Sequence, residues 1–172
     1  MKIGIVREGK IPIDKRVALI PEHAAYLKNK FKCEIVVQPS AIRAISDEEY
    51  VRYGIDLQED LSDCDVLFGV KEVPINDLIP NKTYFFFSHT YKQQPYNAKL
   101  LKACVERNIR LIDYELLKNN GARVVAFGRF AGPVGAYNGL WGWGEKYGPF
   151  ALKPAHKCHD MHALFDLPKG TA

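Results

Sequence analysis

The chain has 172 residues, 47% of them hydrophobic and 26% charged, the composition of an ordinary globular protein rather than a collagenous, disordered or membrane-embedded one. Its 24 Lys and Arg against 20 Asp and Glu leave a net charge of +4, with bases scattered among acids, so neither a nucleic-acid nor a membrane partner is expected. The four cysteines, at 33, 64, 104 and 158, form no CxxC pair and read as reduced thiols of a cytoplasmic protein.

Met1-Lys2 runs into a short Ile-Gly-Ile-Val segment that Arg7 and Glu8 break, so no secretory signal is read here. Ile3 to Val6 is a first strand candidate. A polar loop with Arg7, Glu8, Lys10, Asp14, Lys15 and Arg16 follows, then a helix starting near Pro21 with apolar residues at 24, 27 and 31. Cys33 to Val37 is a second strand, and Ser46 caps a short helix that is rich in acids at its start and stops at Gly54. Asp65 to Val70 and Thr83 to Phe87 are short, nearly continuous apolar runs, as strands covered on both faces require. A helix from about Tyr96 to Arg107 comes next, then strands over Arg110 to Asp113 and Arg123 to Phe127.

This alternation predicts an α/β fold with a doubly wound, mostly parallel sheet, Rossmann-like or flavodoxin-like, in which ligands bind beyond the carboxyl ends of the strands. The residues expected there are the Arg7 to Arg16 loop, Lys71-Glu72, Ser88-His89, Asp113 to Glu115 and Gly128-Arg129. From Gly128 onward, glycines at 128, 132, 135, 139 and 142 would line one face of a helix and let another element, subunit or domain approach closely. A glycine-rich loop is the alternative. The uncharged stretch from Phe130 to Gly144 is 15 residues long, short of the roughly 20 apolar residues of a membrane-spanning helix.

Lys71 directly follows a buried-looking strand, which makes it a candidate base at the mouth of a cleft, with a solvated surface lysine as the plain alternative. His89 is placed likewise, and its alternative is a core histidine. Arg16 and Arg123 are candidate carboxylate binders, because a guanidinium holds a carboxylate in fixed orientation. His156, Cys158, His159, Asp160 and His162 are metal-ligand types, but their spacing matches no standard structural-zinc pattern and no metal site is expected. No G-x-G-x-x-G occurs, so no nucleotide site is expected within these residues.

The ordered stretches Asp14-Lys-Arg-Val-Ala-Leu-Ile-Pro21, Gly69-Val-Lys-Glu-Val-Pro74, Phe87-Ser-His-Thr-Tyr-Lys92, Ile112-Asp-Tyr-Glu115 and Arg123-Val-Val-Ala-Phe-Gly128 carry a likeness to a known family. Together with Ala131-Gly132, they resemble the amino-terminal domain of lysine-forming saccharopine dehydrogenase. That family sits in a superfamily with alanine dehydrogenase and the soluble domain of proton-translocating transhydrogenase. The resemblance covers roughly residues 1 to 140 and implies oxidation of saccharopine by NAD and water to lysine and 2-oxoglutarate, or the reverse. It implies Lys71 as the base for the substrate's secondary amine and His89 as the acid-base group for imine hydration and carbinolamine collapse. Arg16 and Arg123 would bind substrate carboxylates, and Glu72 and Glu115 would tune the charge of the site.

On this resemblance, residues 1–128 are a substrate-side catalytic domain, and residues 129–172 form a glycine-rich connecting helix and tail. The tail would lead to a cofactor domain absent from this chain. NAD is expected in the complete enzyme and not on this chain alone, which is expected to be inactive by itself. The expected partners are amino-acid and keto-acid substrates, with the glycine face serving a homo-oligomer or docking the cofactor domain. An alanine dehydrogenase-like domain acting on pyruvate and ammonium is the alternative enzyme. A non-catalytic amino-acid-binding or assembly module is the alternative of another class.

Overall fold

The computed structural model describes residues 1–158 and 160–166 and divides into two compact units, Met1–Val125 and Ala126–Ala172. The first unit is built on a six-stranded, wholly parallel sheet in the order β3-β2-β1-β4-β5-β6. Its strands are β1 (Lys2–Ile5), β2 (Glu34–Val37), β3 (Asp56–Leu57), β4 (Val66–Phe68), β5 (Thr83–Phe86) and β6 (Arg110–Asp113). Helices α1 (Pro21–Phe31), α2 (Asp47–Arg52) and α3 (Ala98–Glu106) connect them. This is a doubly wound, Rossmann-like order, and the chain reverses its direction of growth between β1 and β4.

Each helix starts where its sequence provides for it. Pro21 opens α1 with its φ already set, the Ser46 hydroxyl accepts from the Glu49 amide at the start of α2, and a 3-10 turn, Pro95–Asn97, leads into α3. Helices α1 and α2 send Ala24 and Tyr50 onto one face of the sheet, among Ile3, Ile5, Ile35 and Val37. Helix α3 covers the other face with Leu100, Ala103 and Cys104, among Val36, Leu67, Tyr84 and Phe86. Both faces are covered, so these strands read as apolar runs without alternation. Gly4 is required by close packing, since a Cβ there would lie 2.7 Å from Leu67 Cδ2 and 3.0 Å from Leu61 Cδ1.

The strand expected over Arg123 to Phe127 is not formed. Instead β7 (Lys118–Asn119) and β8 (Ala122–Arg123) make a small antiparallel hairpin. Its two-residue turn has Asn120 at φ 50° and Gly121 at φ 79°, the positive values that an Asn-Gly hairpin turn needs. The turn takes Arg123 into the hairpin and out of the parallel sheet.

In the second unit the glycine-rich segment is helical: α4 runs over Gly128–Tyr147 and ends at Gly148, which has φ 74°. Gly144 packs against Phe150, and the Tyr137 hydroxyl donates to the Lys153 carbonyl at 2.7 Å. The expected close packing along Gly128, Gly132, Gly135, Gly139 and Gly142 is not found among the described residues, where a Cβ at any of the five would meet nothing within 4 Å. A short helix, α5 (Met161–Phe165), follows. No helix among the described residues is long and apolar enough to cross a membrane.

Candidate active site

Of the polar residues expected after the strands, the loop after β1, Lys71-Glu72, Ser88-His89 and Asp113 to Glu115 stand at the carboxyl ends of β1, β4, β5 and β6, whereas Gly128-Arg129, expected after a strand that does not form, opens α4. Strands β4 and β5 stay paired past their last ladder residues, as the Phe87 amide donates to the Val70 carbonyl at 3.0 Å. Lys71 and Ser88-His89 therefore leave neighbouring strands at one level. Lys71 is half-buried, and its ammonium has no hydrogen-bond or ion-pair partner among the described residues. Its backbone is fixed from β1: Glu8 Oε1 accepts from the Val70 amide at 2.7 Å and Oε2 from the Lys71 amide at 2.8 Å. Burial pushes the Glu8 carboxyl above the usual carboxylate range, against the pull of those two amides.

Arg16 lies in the loop after β1 and is engaged by a carboxylate of its own chain. Its Nε and Nη2 donate to Asp14 Oδ1 and Oδ2 at 2.9 and 2.5 Å. The hydrogen bond from Arg16 is the main cause that holds the Asp14 carboxyl below its usual range, and the charge of Lys71 acts in the same direction. Glu72 pairs with Lys10 at 2.5 Å while its other carboxylate oxygen, Oε1, is buried with no hydrogen-bond partner among the described residues. Lys10 and Glu72 share a shallow cleft of about 390 Å³ with Pro74, Tyr96, Asn97 and Leu100.

Around His89 the arrangement is tighter. His89 Nδ1 lies 2.9 Å from Glu115 Oε2, and Glu115 Oε1 lies 3.3 Å from Arg123 Nη2 and 3.6 Å from Lys92 Nζ. Burial of Glu115, whose side chain is 9% exposed, would raise its carboxyl. The His89 hydrogen bond and the charges of His89, Lys92 and Arg123 outweigh burial and hold it below the usual range. A carboxylate only accepts, so Nδ1 carries the hydrogen and Nε2 is left as the basic nitrogen of the neutral ring. His89 itself sits at φ 55° and ψ 12°, a left-handed conformation that costs a non-glycine residue about 1–2 kcal/mol. The amide of His89 donates to Asp113 Oδ2 at 3.1 Å, and Asn97 Nδ2 donates to its carbonyl at 3.2 Å, so the conformation is held on both sides.

Thus His89, Glu115 and Arg123 come together in one cluster, while Arg16 and Glu72 are each paired near Lys71 with a residue of the β1 loop. The sequence reading placed Glu8, Lys10, Asp14 and Asp113 at the strand ends without giving them a role, and it did not single out Lys92, which ends the 3-10 turn Thr90–Lys92. For the first four the signal was position alone. Among the described residues no group of three or more His, Cys, Asp or Glu is placed to hold a metal ion, and His159, one of the ligand-type residues between 156 and 162, lies outside those residues. Nor do these residues fit a dinucleotide. The loop 6–20 after β1 holds a single glycine, Gly9, and α1 begins only at Pro21, so no tight glycine turn brings a helix N-terminus to a pyrophosphate.

Residues 4–133 match the family described as the alanine dehydrogenase/PNT N-terminal domain. The chain is 46% identical over 143 residues to the mitochondrial alpha-aminoadipic semialdehyde synthase of Bos taurus, matching 83% of this chain and 15% of that protein. It is 33% identical over 174 residues to the NAD(+), L-lysine-forming saccharopine dehydrogenase of Candida glabrata, matching 94% of this chain and 43% of that protein. The chain thus spans less than half the length of these relatives. A transhydrogenase from Sinorhizobium meliloti shares the fold with a TM-score of 0.67 at 19% identity, over 86% of this chain and 45% of that one. An L-alanine dehydrogenase does so at 0.63 and 18% identity, over 85% and 40%. With a parallel Rossmann-like sheet, charged residues gathered at its carboxyl edge and a family match over most of its length, this chain belongs to the alanine dehydrogenase/PNT N-terminal domain family and is related to saccharopine dehydrogenase.

Proposed function

We propose that this chain is the substrate-side domain of an NAD-dependent, lysine-forming saccharopine dehydrogenase. The observation that carries the reading is the half-buried Lys71, whose Nζ has no hydrogen-bond or ion-pair partner among the described residues, leaving the sheet at one level with a His89-Glu115 pair. In this reading Lys71 accepts the proton of the substrate's secondary amine. His89, through Nε2, moves the protons of imine hydration and of carbinolamine collapse, which releases lysine and 2-oxoglutarate. Glu115 fixes the His89 tautomer and stabilises the imidazolium when it forms. Glu72, with one buried oxygen unpaired among the described residues, adds negative charge beside Lys71.

Arg16 and Arg123 bind substrate carboxylates. Each is engaged by an acid of this chain, Asp14 and Glu115 respectively, so substrate binding exchanges one carboxylate partner for another. The overall reaction needs a hydride acceptor, NAD, held by groups other than those of this sheet. In the same reading, residues 129–172 lead toward those groups and the isolated chain does not turn over.

The test is NADH consumption by the longest polypeptide of the reading frame that contains this chain. One sample receives lysine with 2-oxoglutarate, the other ammonium with pyruvate. Turnover is expected with the first pair only. Lys71→Met should then lower kcat at least about 100-fold, the usual worth of a positioned acid-base group. Turnover with ammonium and pyruvate alone, or full activity of Lys71→Met, would contradict the proposal.

A further inference from the structure

We infer that Asp113 is the positioning residue of the His89-Glu115 pair, a single buried carboxylate that fixes the backbone of both partners and thereby the imidazole tautomer. The inference rests on the reading of His89 as an acid-base group for its functional meaning, but its geometry stands apart from that reading. Asp113 is 6% exposed and ends β6. Its Oδ2 accepts from the Ser88 amide at 3.2 Å, the His89 amide at 3.1 Å and the Ser88 hydroxyl, while Oδ1 accepts from the Glu115 amide at 2.8 Å. One carboxylate therefore ties down the same two residues whose side chains meet at 2.9 Å.

The hydrogens around it run in one direction. Ser88 has one hydroxyl proton, and it goes to Asp113, so the Thr90 hydroxyl donates to Ser88 Oγ at 2.8 Å and the Thr90 amide donates to the same oxygen at 3.1 Å. Ser88 is fully buried, and Thr90 and Asn97 nearly so. A carboxylate placed in such surroundings is tolerated only when its oxygens are fully hydrogen-bonded, and four donors meet that condition. His89 adopts an uncommon left-handed backbone, and Asp113 is the acceptor that holds its amide there. Release of that amide lets the ring swing away from Glu115. The acceptor that keeps the hydrogen on Nδ1 is then lost.

The tautomer is the readout, because a purely structural role would lower the unfolding midpoint without changing it. In the 172-residue chain with 15N-labelled histidine, at about pH 8 where imidazole is ordinarily neutral, long-range proton-nitrogen correlation should find His89 as the Nδ1-H form. In Asp113→Asn one acceptor oxygen becomes an NH2 group facing donors, and the ratio of tautomers should shift about tenfold toward Nε2-H, the order of one charge-assisted hydrogen bond. Glu115→Ala should give the same shift. Ser88→Ala, which leaves the backbone donors in place, should not. Retention of the Nδ1-H form in folded Asp113→Asn would overturn the inference.

A second measurement needs no variant. Amide-to-carboxylate couplings across hydrogen bonds should connect His89 N and Glu115 N to the one Asp113 Cγ, and their absence would also overturn it. If turnover by the complete enzyme survives His89→Gln while the tautomer still responds to Asp113→Asn, the acid-base reading of His89 fails and the positioning role stands.

Discussion

Glu8 shows how a residue far from Lys71 in the chain sets the direction of the lysine. Its two oxygens accept from consecutive amides, Val70 and Lys71, at the point where β4 ends and the polar loop begins. Glu8→Ala strands both amides in a half-buried position and should cost about 1–3 kcal/mol in urea unfolding. Glu8→Gln keeps one acceptor and should cost less. The pH dependence of stability has two opposing parts. Burial raises the Glu8 carboxyl, so its part is greatest in acid and declines as pH rises through the folded value. Asp14 and Glu115 are held below their ordinary values of 3.8 and 4.5, so their stabilisation is present above those values and is lost as pH falls through the lower folded ones. Urea unfolding from neutral pH into acid should therefore show a shallower loss of stability for Glu115→Gln than for the unsubstituted chain below about pH 4.5. An identical slope would mean that the His89, Lys92 and Arg123 contacts do not act on Glu115. The strand-end rule makes Lys71, His89 and Glu115 legible in the sequence. It places Glu8 and Asp113 at the same edge but does not reveal what they bind, because acceptance of a distant amide depends on strand order.

At the level of elements, glycine serves two opposite purposes. In β1 a methyl group at Gly4 would press on Leu67, Leu61 and Cys64, all buried, so Gly4→Ala should destabilise by about 1–3 kcal/mol through overpacking. In α4 a methyl group at Gly135 or Gly139 meets nothing within 4 Å among the described residues. Gly135→Ala and Gly139→Ala should therefore raise helicity by circular dichroism and stabilise by about 0.5–1 kcal/mol each. A loss of stability on either substitution would show that the glycine face is covered in solution. The helix itself was readable from glycine spacing of three and four residues, but what covers such a face is not written in its own residues. The hairpin teaches the reverse lesson. Asn120-Gly121 is a strong local turn signal, yet the apolar run of Val124, Val125 and Phe127 suggests a strand that the turn does not permit.

For the whole molecule, the sheet order places the loop after β1 beside that after β4, and the segments after β5 and β6 beside each other. Doubly wound sheets bind ligands at this carboxyl edge, near the point where the strand order reverses. Alternating apolar runs and helices were enough to anticipate the parallel sheet. The strand order, which brings residues 8, 14, 16 and 71 to one place and 89, 113, 115 and 123 to another, is a product of tertiary packing. The central claim, that this edge receives a saccharopine-class substrate, is tested most directly by amide chemical shifts of the 15N-labelled 172-residue chain titrated with saccharopine and, separately, with alanine. Saturable shifts at Arg16, Lys71, His89, Glu115 and Arg123 with saccharopine, and none at Arg123 with alanine, are the expected result. An unchanged carboxyl edge with saccharopine, or an equal response to alanine, would contradict it.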